Sequence, residues 1–459
     1  MTTSVSKKMR LFGLQHLDRI PQIRQLSEEQ IFATRVVASV LPFRVNNYVL
    51  DELIDWSNIP RDPIFQLTFM QKDMLEPKHF SRMADLIKAK APKHEINQAA
   101  NEIRLELNPH PAGQLSANVP EMNNQSVPGV QHKYRETCLV FPSSGQTCFS
   151  YCTFCFRWPQ FVGLQDFKFT TDEANQFLNY IEQKKEITDI LVTGGDPLIM
   201  SASRLSAYLE PLLRPEFDHV RSIRLGTKVL GYWPYRFITD RDADELLRLF
   251  QKLADSGKHL AFMAHFNHPR ELETDAVQQA VSRLRNTGLQ IRTQSPILKH
   301  INDDPEVWSS MWQKQVEMGM IPYYMFVERD TGPRQYFEIP LVRTWRLYQR
   351  AIQKVSGLAR TVRGPSMSCL PGKVCVEGIA EINSQKLFVL SMLQGRNPDW
   401  VKRPFFAAYD ESAVWLDDLR PAFGEKEFFF EAELQKLLRK DAGQSTPKAP
   451  ALENRRLSS

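Results

Sequence analysis

Residues 148–158 read CFSYCTFCFRW. Three of the six cysteines in this 459-residue chain fall here, at Cys148, Cys152 and Cys155, with aromatic residues between them. Thiolates are soft ligands that hold iron–sulfur clusters or zinc. A structural zinc needs four protein ligands, and no fourth Cys or His lies nearby at the spacing of a zinc finger. The CxxxCxxC spacing therefore predicts a loop that binds three irons of a [4Fe–4S] cluster and leaves the fourth iron open.

The cysteine loop follows the first of six short apolar runs that alternate with helical segments. Such alternation predicts a parallel sheet with right-handed crossovers, so the fold class is α/β. Six units predict a partial (β/α)6 barrel, with the loop at the carboxyl end of the first strand, where barrel active sites are assembled. Thr170 and Glu173 have the spacing of a capping box before a helix over 172–185. The six predicted strands are 137–142, 189–195, 222–228, 260–266, 291–298 and 322–328.

The rest of the chain divides around this barrel. Residues 1–110 are predicted to be a mainly helical N-terminal region, which we expect to form a separate layer or arm. The barrel is assigned to 111–345, and 346–440 mixes helical and β-like segments in a C-terminal α+β extension. Residues 441–459 are rich in small, polar and proline residues, a composition that predicts a disordered tail.

Composition excludes several classes of protein. The chain is 42% hydrophobic and 24% charged, the balance of a soluble globular protein. Its net charge of +5 is spread over short clusters, which argues against a nucleic-acid partner because a binding groove needs a longer basic stripe. No apolar run is long enough for a membrane span or a signal peptide. Six cysteines in so long a chain are not a secreted disulfide framework, so we expect a cytoplasmic protein.

The cysteine spacing, with Phe154 just before the third cysteine, resembles the signature of the radical S-adenosylmethionine (SAM) superfamily. In that superfamily the open iron binds the amino and carboxylate groups of SAM, and reductive cleavage yields a 5′-deoxyadenosyl radical that abstracts hydrogen from the substrate. TGGDPL (193–198) ends the second predicted strand and resembles the superfamily's glycine-rich segment that meets SAM. The resemblance implies cofactor-binding roles for Phe154, Gly194, Gly195 and Asp196, with the glycines letting backbone approach the ligand.

Further segments resemble the lysine 2,3-aminomutase family within that superfamily. Its members use SAM, the cluster and pyridoxal phosphate (PLP) to move an amino group between adjacent carbons of an amino acid. The resemblance implies a radical SAM barrel, cofactor-binding roles for His265 and Gln294, and a reductant protein such as a flavodoxin or ferredoxin. The matching segments are LPFRVNNY (41–48), HFNHP (265–269), TQSPIL (293–298), NDD (302–304) and PYYMFV (322–327).

The family's PLP site is matched only in part. Lys373 occupies the place of the lysine that forms the PLP Schiff base. Only residues 371–372 remain of the longer glycine run that usually precedes this lysine. The arginine that holds the PLP phosphate falls near Leu139, an apolar residue, and Lys133 or Arg135 is the alternative for that role. The sequence therefore leaves PLP use open.

The substrate pocket departs from the lysine-specific pattern. Arg157 matches the arginine that pairs with the substrate carboxylate, a task that suits its planar fork. Lysine-specific members present two aspartates to the distal ammonium, where this chain has Arg329, followed by Asp330, and Cys369. Because Arg329 would repel an ammonium, we expect a substrate other than free lysine, with an acidic or phosphorylated side chain. The alternative is that Arg329 points outward and Asp330 takes its role.

Cys138, Cys369 and Cys375 form no compact motif, and we interpret them as small buried residues. The family's cysteine-bearing C-terminal zinc segment has no counterpart, because no cysteine follows Cys375. The leading hypothesis is a radical SAM aminomutase-like isomerase that acts on a small-molecule, amino-acid-like substrate other than free lysine and makes a PLP-assisted 2,3-amino shift. The alternatives are a PLP-independent radical SAM reaction and a non-catalytic cluster-binding descendant. Whether the chain forms a homo-oligomer is left open.

Overall fold

The computed structural model describes residues 7–108, 118–123, 125–163, 170 and 174–443. Glu173 of the predicted capping box, the predicted domain boundary at 110 and residues 444–459 of the predicted tail lie outside the described residues.

Strands make the centre of the described fold. One sheet contains eleven of them, in chain order from β5 at one edge to β15 at the other, and two small antiparallel sheets pair β1 with β2 and β3 with β4. The strands are β1 (Leu11–Gly13), β2 (Arg44–Asn46), β3 (Glu121–Met122), β4 (Gln125–Ser126), β5 (Val130–Tyr134), β6 (Thr137–Val140), β7 (Asp189–Val192), β8 (Ser222–Thr227), β9 (His259–His265), β10 (Gln290–Pro296), β11 (Ile321–Phe326), β12 (Arg363–Ser368), β13 (Gly372–Ile382), β14 (Gln385–Gly395) and β15 (Phe405–Ala408).

Helices lie between the strands and at both ends of the chain. The predicted helix over 172–185 is observed from residue 174 to 183. Ser27 caps the first helix through the capping box that it forms with Gln30. The helices are α1 (Glu28–Ala38), α2 (Pro63–Thr68), α3 (Pro77–Lys88), α4 (Lys93–Glu106), α5 (Ala174–Gln183), α6 (Ala202–Leu209), α7 (Val229–Tyr232), α8 (Ala243–Asp255), α9 (Asp275–Arg285), α10 (Pro305–Glu317), α11 (Arg334–Phe337), α12 (Leu341–Gln353) and α13 (Glu431–Gly443). Within the described residues, no helix combines the length and the apolar character needed to cross a bilayer.

The α/β partial barrel is confirmed. All six predicted strands are present as β6 to β11, and they pair in parallel in that order. The sheet curves far enough for distant strands to meet. Lys133 on β5 donates a hydrogen bond to the carbonyl of Cys369, in the turn between β12 and β13. Strands at opposite ends of the parallel array are thereby brought together, as a barrel requires.

A seventh parallel strand, β12, was not predicted. It pairs with β11 and has the sequence RGPSMS, in which Met367 is the only large apolar residue. Its middle residues are nevertheless buried, because both neighbouring strands and α12 cover it. The strand therefore lacks the apolar run by which buried strands are recognised in a sequence.

The N-terminal region packs directly on the barrel. Its apolar side chains, such as Val45 and Phe65, belong to the same hydrophobic core as Ile190 of β7 and Leu225 of β8. This continuity favours one structural unit over a separate arm, although the domain boundaries themselves stay predictions.

The C-terminal extension has the predicted α+β character. The antiparallel strands β13 to β15 and the helices α12 and α13 enclose a second core that contains Phe388, Trp400 and Phe430. Helix α13 continues to Gly443, three residues into the segment assigned to the tail.

Asn46 is expected to be a main support of the N-terminal contact. Its buried amide donates to the carbonyls of Phe149 at 3.0 Å and Tyr232 at 2.8 Å and accepts from Val49 N. Asn46→Ala would leave these groups without partners, so we expect the free energy of unfolding to fall by about 2–4 kcal/mol. The measurement is the midpoint of urea denaturation. Asn97→Ala, at an exposed position of α4, should leave the midpoint unchanged, and equal effects of both substitutions would contradict the role of Asn46.

Candidate functional site

The cysteine loop lies at the carboxyl end of β6, as predicted. Cys148, Cys152 and Cys155 carry free thiols that are half-buried. The Cys155 N–H donates to the Cys152 carbonyl at 3.2 Å, and the Cys152 thiol lies 3.6 Å from the hydroxyl of Tyr232. Burial raises the pKa of Cys152 to about 11 and that of Cys155 to about 12, and their mutual repulsion adds to the shift of Cys155.

The three thiols are the soft donor set that an iron–sulfur cluster takes. Among the described residues, no three His, Cys, Asp or Glu side chains are arranged to hold one ion. Thiolates that bind separate irons of a cluster do not converge on one point, so this finding is consistent with the three cysteines of one loop. Cys148, Cys152 and Cys155 would hold three irons, and the charge of the cluster would favour their deprotonated forms.

The N-terminal region positions the loop from one side. Residue Arg44 of β2 accepts hydrogen bonds at its carbonyl from Tyr151 N at 2.8 Å and Ser150 Oγ at 2.9 Å. Thr153 N donates to the Leu67 carbonyl of α2 at 3.0 Å. Residues before the barrel in the chain therefore determine where the cysteines lie.

The glycine-rich segment after β7 holds the loop from the other side. A Cβ added to Gly195 would lie 2.4 Å from the Thr147 carbonyl oxygen, and Gly194 has a φ of +148°. The Gly195 backbone thus approaches the entry to the cysteine loop. The contact of Gly194 and Gly195 with SAM stays a prediction.

Asp196, which follows β7, is hydrogen-bonded to the carboxyl end of β8. Its carboxylate accepts hydrogen bonds from Leu198 N, Thr227 Oγ1 and Lys228 N, at 2.8 to 3.0 Å. Burial raises its pKa to about 6 despite these bonds. Its carboxylate is thus engaged within the protein, and its predicted contact with SAM stays a prediction.

Three predicted cofactor-binding residues meet beside the cysteines. The ring of Phe154 stacks on that of His265, with centroids 6.0 Å apart, and Gln294 pairs with His265 in the register of β10 with β9. Burial lowers the pKa of His265 to about 3, so its ring is neutral. Its buried Nδ1 has no hydrogen-bond partner in the described part of the chain, which leaves a polar atom for a ligand.

Five cations line the inside of the barrel, and we call them the cationic cleft. They influence one another electrostatically, but no described carboxylate lies within ion-pair distance of any of them. Burial raises the pKa of the nearby Glu328, and the charge of Arg329 acts against that shift. Since unpaired buried charge is costly, the cleft is suited to anionic ligands. The five residues are Lys133, Arg157, Arg329, Arg363 and Lys373.

Lys373 lies on β13 over an aromatic pair. Its amine is 4.0 Å from the ring centroid of Tyr324 and 5.4 Å from that of Phe326. Burial lowers its pKa to about 7, and the positive charges of Arg224 and Arg363 contribute. An amine that is partly neutral near pH 7 can act as a nucleophile, so Lys373 fits the role of a PLP lysine.

The two arginines at the barrel mouth flank one ring. The guanidinium of Arg329 lies 5.1 Å from the centroid of Phe156, and that of Arg157 lies 5.4 Å from it. Burial, followed by the charge of Arg329, lowers the pKa of Arg157 to about 10, and the Nε of Arg329 is buried. Arg329 thus faces the cleft and does not point outward. Burial raises the pKa of the Cys369 thiol, and the nearby carboxylate of Asp330 adds to the shift.

The structure also distinguishes Lys133 from Arg135, the two residues that the sequence offers as alternatives for holding the PLP phosphate. Lys133 faces the cleft, where burial lowers its pKa to about 7, whereas Arg135 is exposed. The three cysteines outside the loop are buried, as interpreted from the sequence: Cys138, Cys369 and Cys375.

Sequence reasoning missed two arginines of the barrel interior. Arg224 forms a bidentate ion pair with Asp189. Its alternation with the buried Ile223 and Leu225 could have placed it on the inner face of β8. Arg363 begins the unpredicted β12, where no such alternation marks it.

Comparisons with known proteins were made with the whole chain. No protein-family model matches it. It is 32% identical over 365 residues to a putative L-lysine 2,3-aminomutase of Aquifex aeolicus (strain VF5), covering 80% of this chain and 85% of that protein. It is 29% identical to the L-lysine 2,3-aminomutase of Clostridium subterminale, over 62% of each chain. It is 31% identical to the glutamate 2,3-aminomutase of Clostridioides difficile (strain 630), over 41% of this chain and 42% of that protein.

Solved structures give weaker likenesses. SuiB of Streptococcus suis bound to S-adenosylmethionine is 13% identical, with a TM-score of 0.34 over 59% of this chain and 56% of that one. A radical SAM methyltransferase from Sphaerobacter thermophilus is 14% identical, with a TM-score of 0.36 over 59% of this chain and 89% of that one. Likenesses at these TM-scores support no argument about this chain.

Gly195→Ala should displace the cysteine loop, because the new methyl group would overlap the Thr147 backbone. Overpacking of this kind costs about 1–3 kcal/mol. We expect iron and sulfide per chain, measured after anaerobic reconstitution, to fall by at least half. Gly357→Ala is the control, since nothing lies within 4 Å of its added Cβ. Full iron content in Gly195→Ala would show that the close approach is not needed to position the cysteines.

Proposed function

Because the chain belongs to the lysine 2,3-aminomutase family of radical SAM enzymes, we propose that it moves an amino group between adjacent carbons of an acidic amino acid, with PLP as cofactor. Family membership supports SAM cleavage by an enzyme and argues against a non-catalytic descendant. The PLP requirement and the acidic substrate are the proposed parts.

The cluster with SAM and the PLP cofactor would each supply a different part of the reaction. The cluster and SAM supply a hydrogen-abstracting radical, and PLP stabilises radical density next to the migrating nitrogen. The chain's own task is to bind and orient. Arg157 would hold the substrate α-carboxylate through its planar fork, and the neutral amine of Lys373 would anchor the cofactor.

One observation supports the acidic substrate above all. Arg329 faces the cleft, matches the position where lysine-specific members have an aspartate, and forms no ion pair among the described residues. Its neighbour Glu328 interacts with it electrostatically, without lying within ion-pair distance. A cationic substrate would add a charge to a cleft that already contains three arginines and two lysines that are partly protonated near pH 7, whereas a side-chain carboxylate would offset one charge. The similarity to a glutamate 2,3-aminomutase is in keeping with this choice.

Lys373 is expected to form a covalent adduct with PLP at unusually low pH. Its pKa is lowered from 10.5 to about 7, so its reactive neutral form accumulates as the pH rises through about 7. Protein purified without oxygen is treated with PLP at low concentration over a pH series and reduced with borohydride. Mass spectrometry should find a phosphopyridoxyl group on Lys373, with a half-maximal rate near pH 7.

The controls are two lysine variants. Lys373→Ala should lose the adduct, and Lys386→Ala, at an exposed position of the neighbouring strand, should keep it. No adduct on Lys373 in protein with an intact cluster and bound SAM would reject PLP use. The PLP-independent radical reaction would then be the better hypothesis.

Arg329 is expected to determine the substrate. The wild-type enzyme should form a β-amino acid from glutamate and none from lysine. Arg329→Gln removes a charge-assisted contact of about 2–4 kcal/mol, so kcat/KM for the acidic substrate should fall about 30- to 1000-fold. The measurement is product formation by mass spectrometry, with 5′-deoxyadenosine measured in the same samples.

Arg346→Gln serves as the matched control, because Arg346 is exposed on α12. Turnover of lysine by the wild-type enzyme, together with an unchanged rate on acidic substrates in Arg329→Gln, would reject the assignment.

A further inference from the structure

We propose that Arg363 holds the phosphate of the PLP cofactor and replaces the phosphate-binding arginine whose place near Leu139 is apolar. This inference rests on the proposed use of PLP. It assigns the anchor to a strand that follows the barrel's six predicted units, far along the chain from the expected position.

The first argument is position. The guanidinium of Arg363 lies 4.4 Å from the ring centroid of Tyr324, and the amine of Lys373 lies 4.0 Å from the same centroid. The two cations are therefore close neighbours on one aromatic side chain. Lys373 pairs with Ser368, at the carboxyl end of β12, whereas Arg363 begins that strand. A ligand attached to Lys373 thus has Arg363 on the side that leads into the barrel.

The second argument is a hydrogen-bond donor of Arg363 that has no acceptor among the described residues. The Nη2 of Arg363 is buried and has no hydrogen-bond partner in the described part of the chain. The described contacts of its guanidinium are the rings of Tyr323, at 4.2 Å, and Tyr324. These rings contact the guanidinium through its π face and do not accept the in-plane hydrogen bonds that its N–H groups can donate. A buried N–H without a partner is costly, and a phosphate oxygen would satisfy it.

The third argument excludes the neighbouring cations. Arg224 is engaged by both carboxylate oxygens of Asp189, so its charge is already offset. Lys133 donates to the Cys369 carbonyl, and its lowered pKa leaves it partly neutral near pH 7. Within the described residues, Arg363 has no acidic partner at ion-pair distance, and its Nη2 has no carbonyl to bind. A planar guanidinium is also better shaped for two phosphate oxygens than an ammonium.

The test compares PLP with pyridoxal, which lacks the phosphate. Dissociation constants of both compounds are measured by absorbance titration on anaerobically purified full-length protein, without substrate. Arg363→Gln should weaken PLP binding at least about 30-fold and leave pyridoxal binding within about threefold of wild type. Arg363→Lys should recover part of the loss, because it restores charge without the fork. Binding of pyridoxal shows that the variant is folded at this site.

Two variants provide matched comparisons. Arg135→Gln, at an exposed position beyond β5, should leave both affinities unchanged. If Lys133→Gln weakens PLP binding selectively and Arg363→Gln does not, the phosphate is held by Lys133 and the inference is wrong.

The failure of PLP use itself would look different. In that case, borohydride would trap no adduct on Lys373 even in the wild-type protein, and neither compound would bind. Wild-type trapping together with equal PLP affinities in wild type and Arg363→Gln would reject Arg363 alone.

Discussion

The close contact between the end of β7 and the entry to the cysteine loop is the constraint on which the site depends. The Asp196 N–H donates to the Thr147 carbonyl at 2.7 Å, and Gly195 leaves no room for a side chain there. Residues 146–157 form neither helix nor strand, so their backbone has no regular pattern of its own to hold it. The thiols therefore take their positions from neighbours, with Arg44 and Leu67 supplying carbonyls from the other side. Function requires such a loop to be held rigidly by the scaffold around it.

Charge is the second constraint. A cleft with five basic side chains and no described carboxylate within ion-pair distance is costly to bury. The neighbouring Arg224 differs, because Asp189 forms an ion pair with it. Aromatic rings offset part of this energetic cost, because the Tyr324 ring makes cation–π contacts with both Lys373 and Arg363. Depressed pKa values follow directly, because neighbouring positive charges and burial both favour neutral amines. The unpaired positive charge of these side chains is unfavourable in a buried cleft, and it also makes the cleft suited to bind anions.

Much of the fold was readable from local pattern. The six apolar runs became β6 to β11, because buried parallel strands need continuous apolar sequence. The seventh strand escaped notice, since RGPSMS carries Gly364 and Pro365 and almost no apolar side chains. The same reasoning found Lys373 and the cysteines but missed Arg363. Local pattern can identify a nucleophile or a ligand by its neighbours in sequence, whereas an arginine on an unrecognised strand has no such context.

The sequence by itself determined the α/β barrel class and the family, and it predicted the cluster-binding loop, because spacing within one segment is a local property. Only the tertiary structure decided which way Arg329 faces, whether Lys133 or Arg135 enters the cleft, and that the N-terminal region supports the cysteine loop. Each of these depends on contacts between residues far apart in the chain, such as Asn46 with Phe149 and Tyr232. The burial and charge that set the pKa of a side chain likewise arise only when distant strands are brought together.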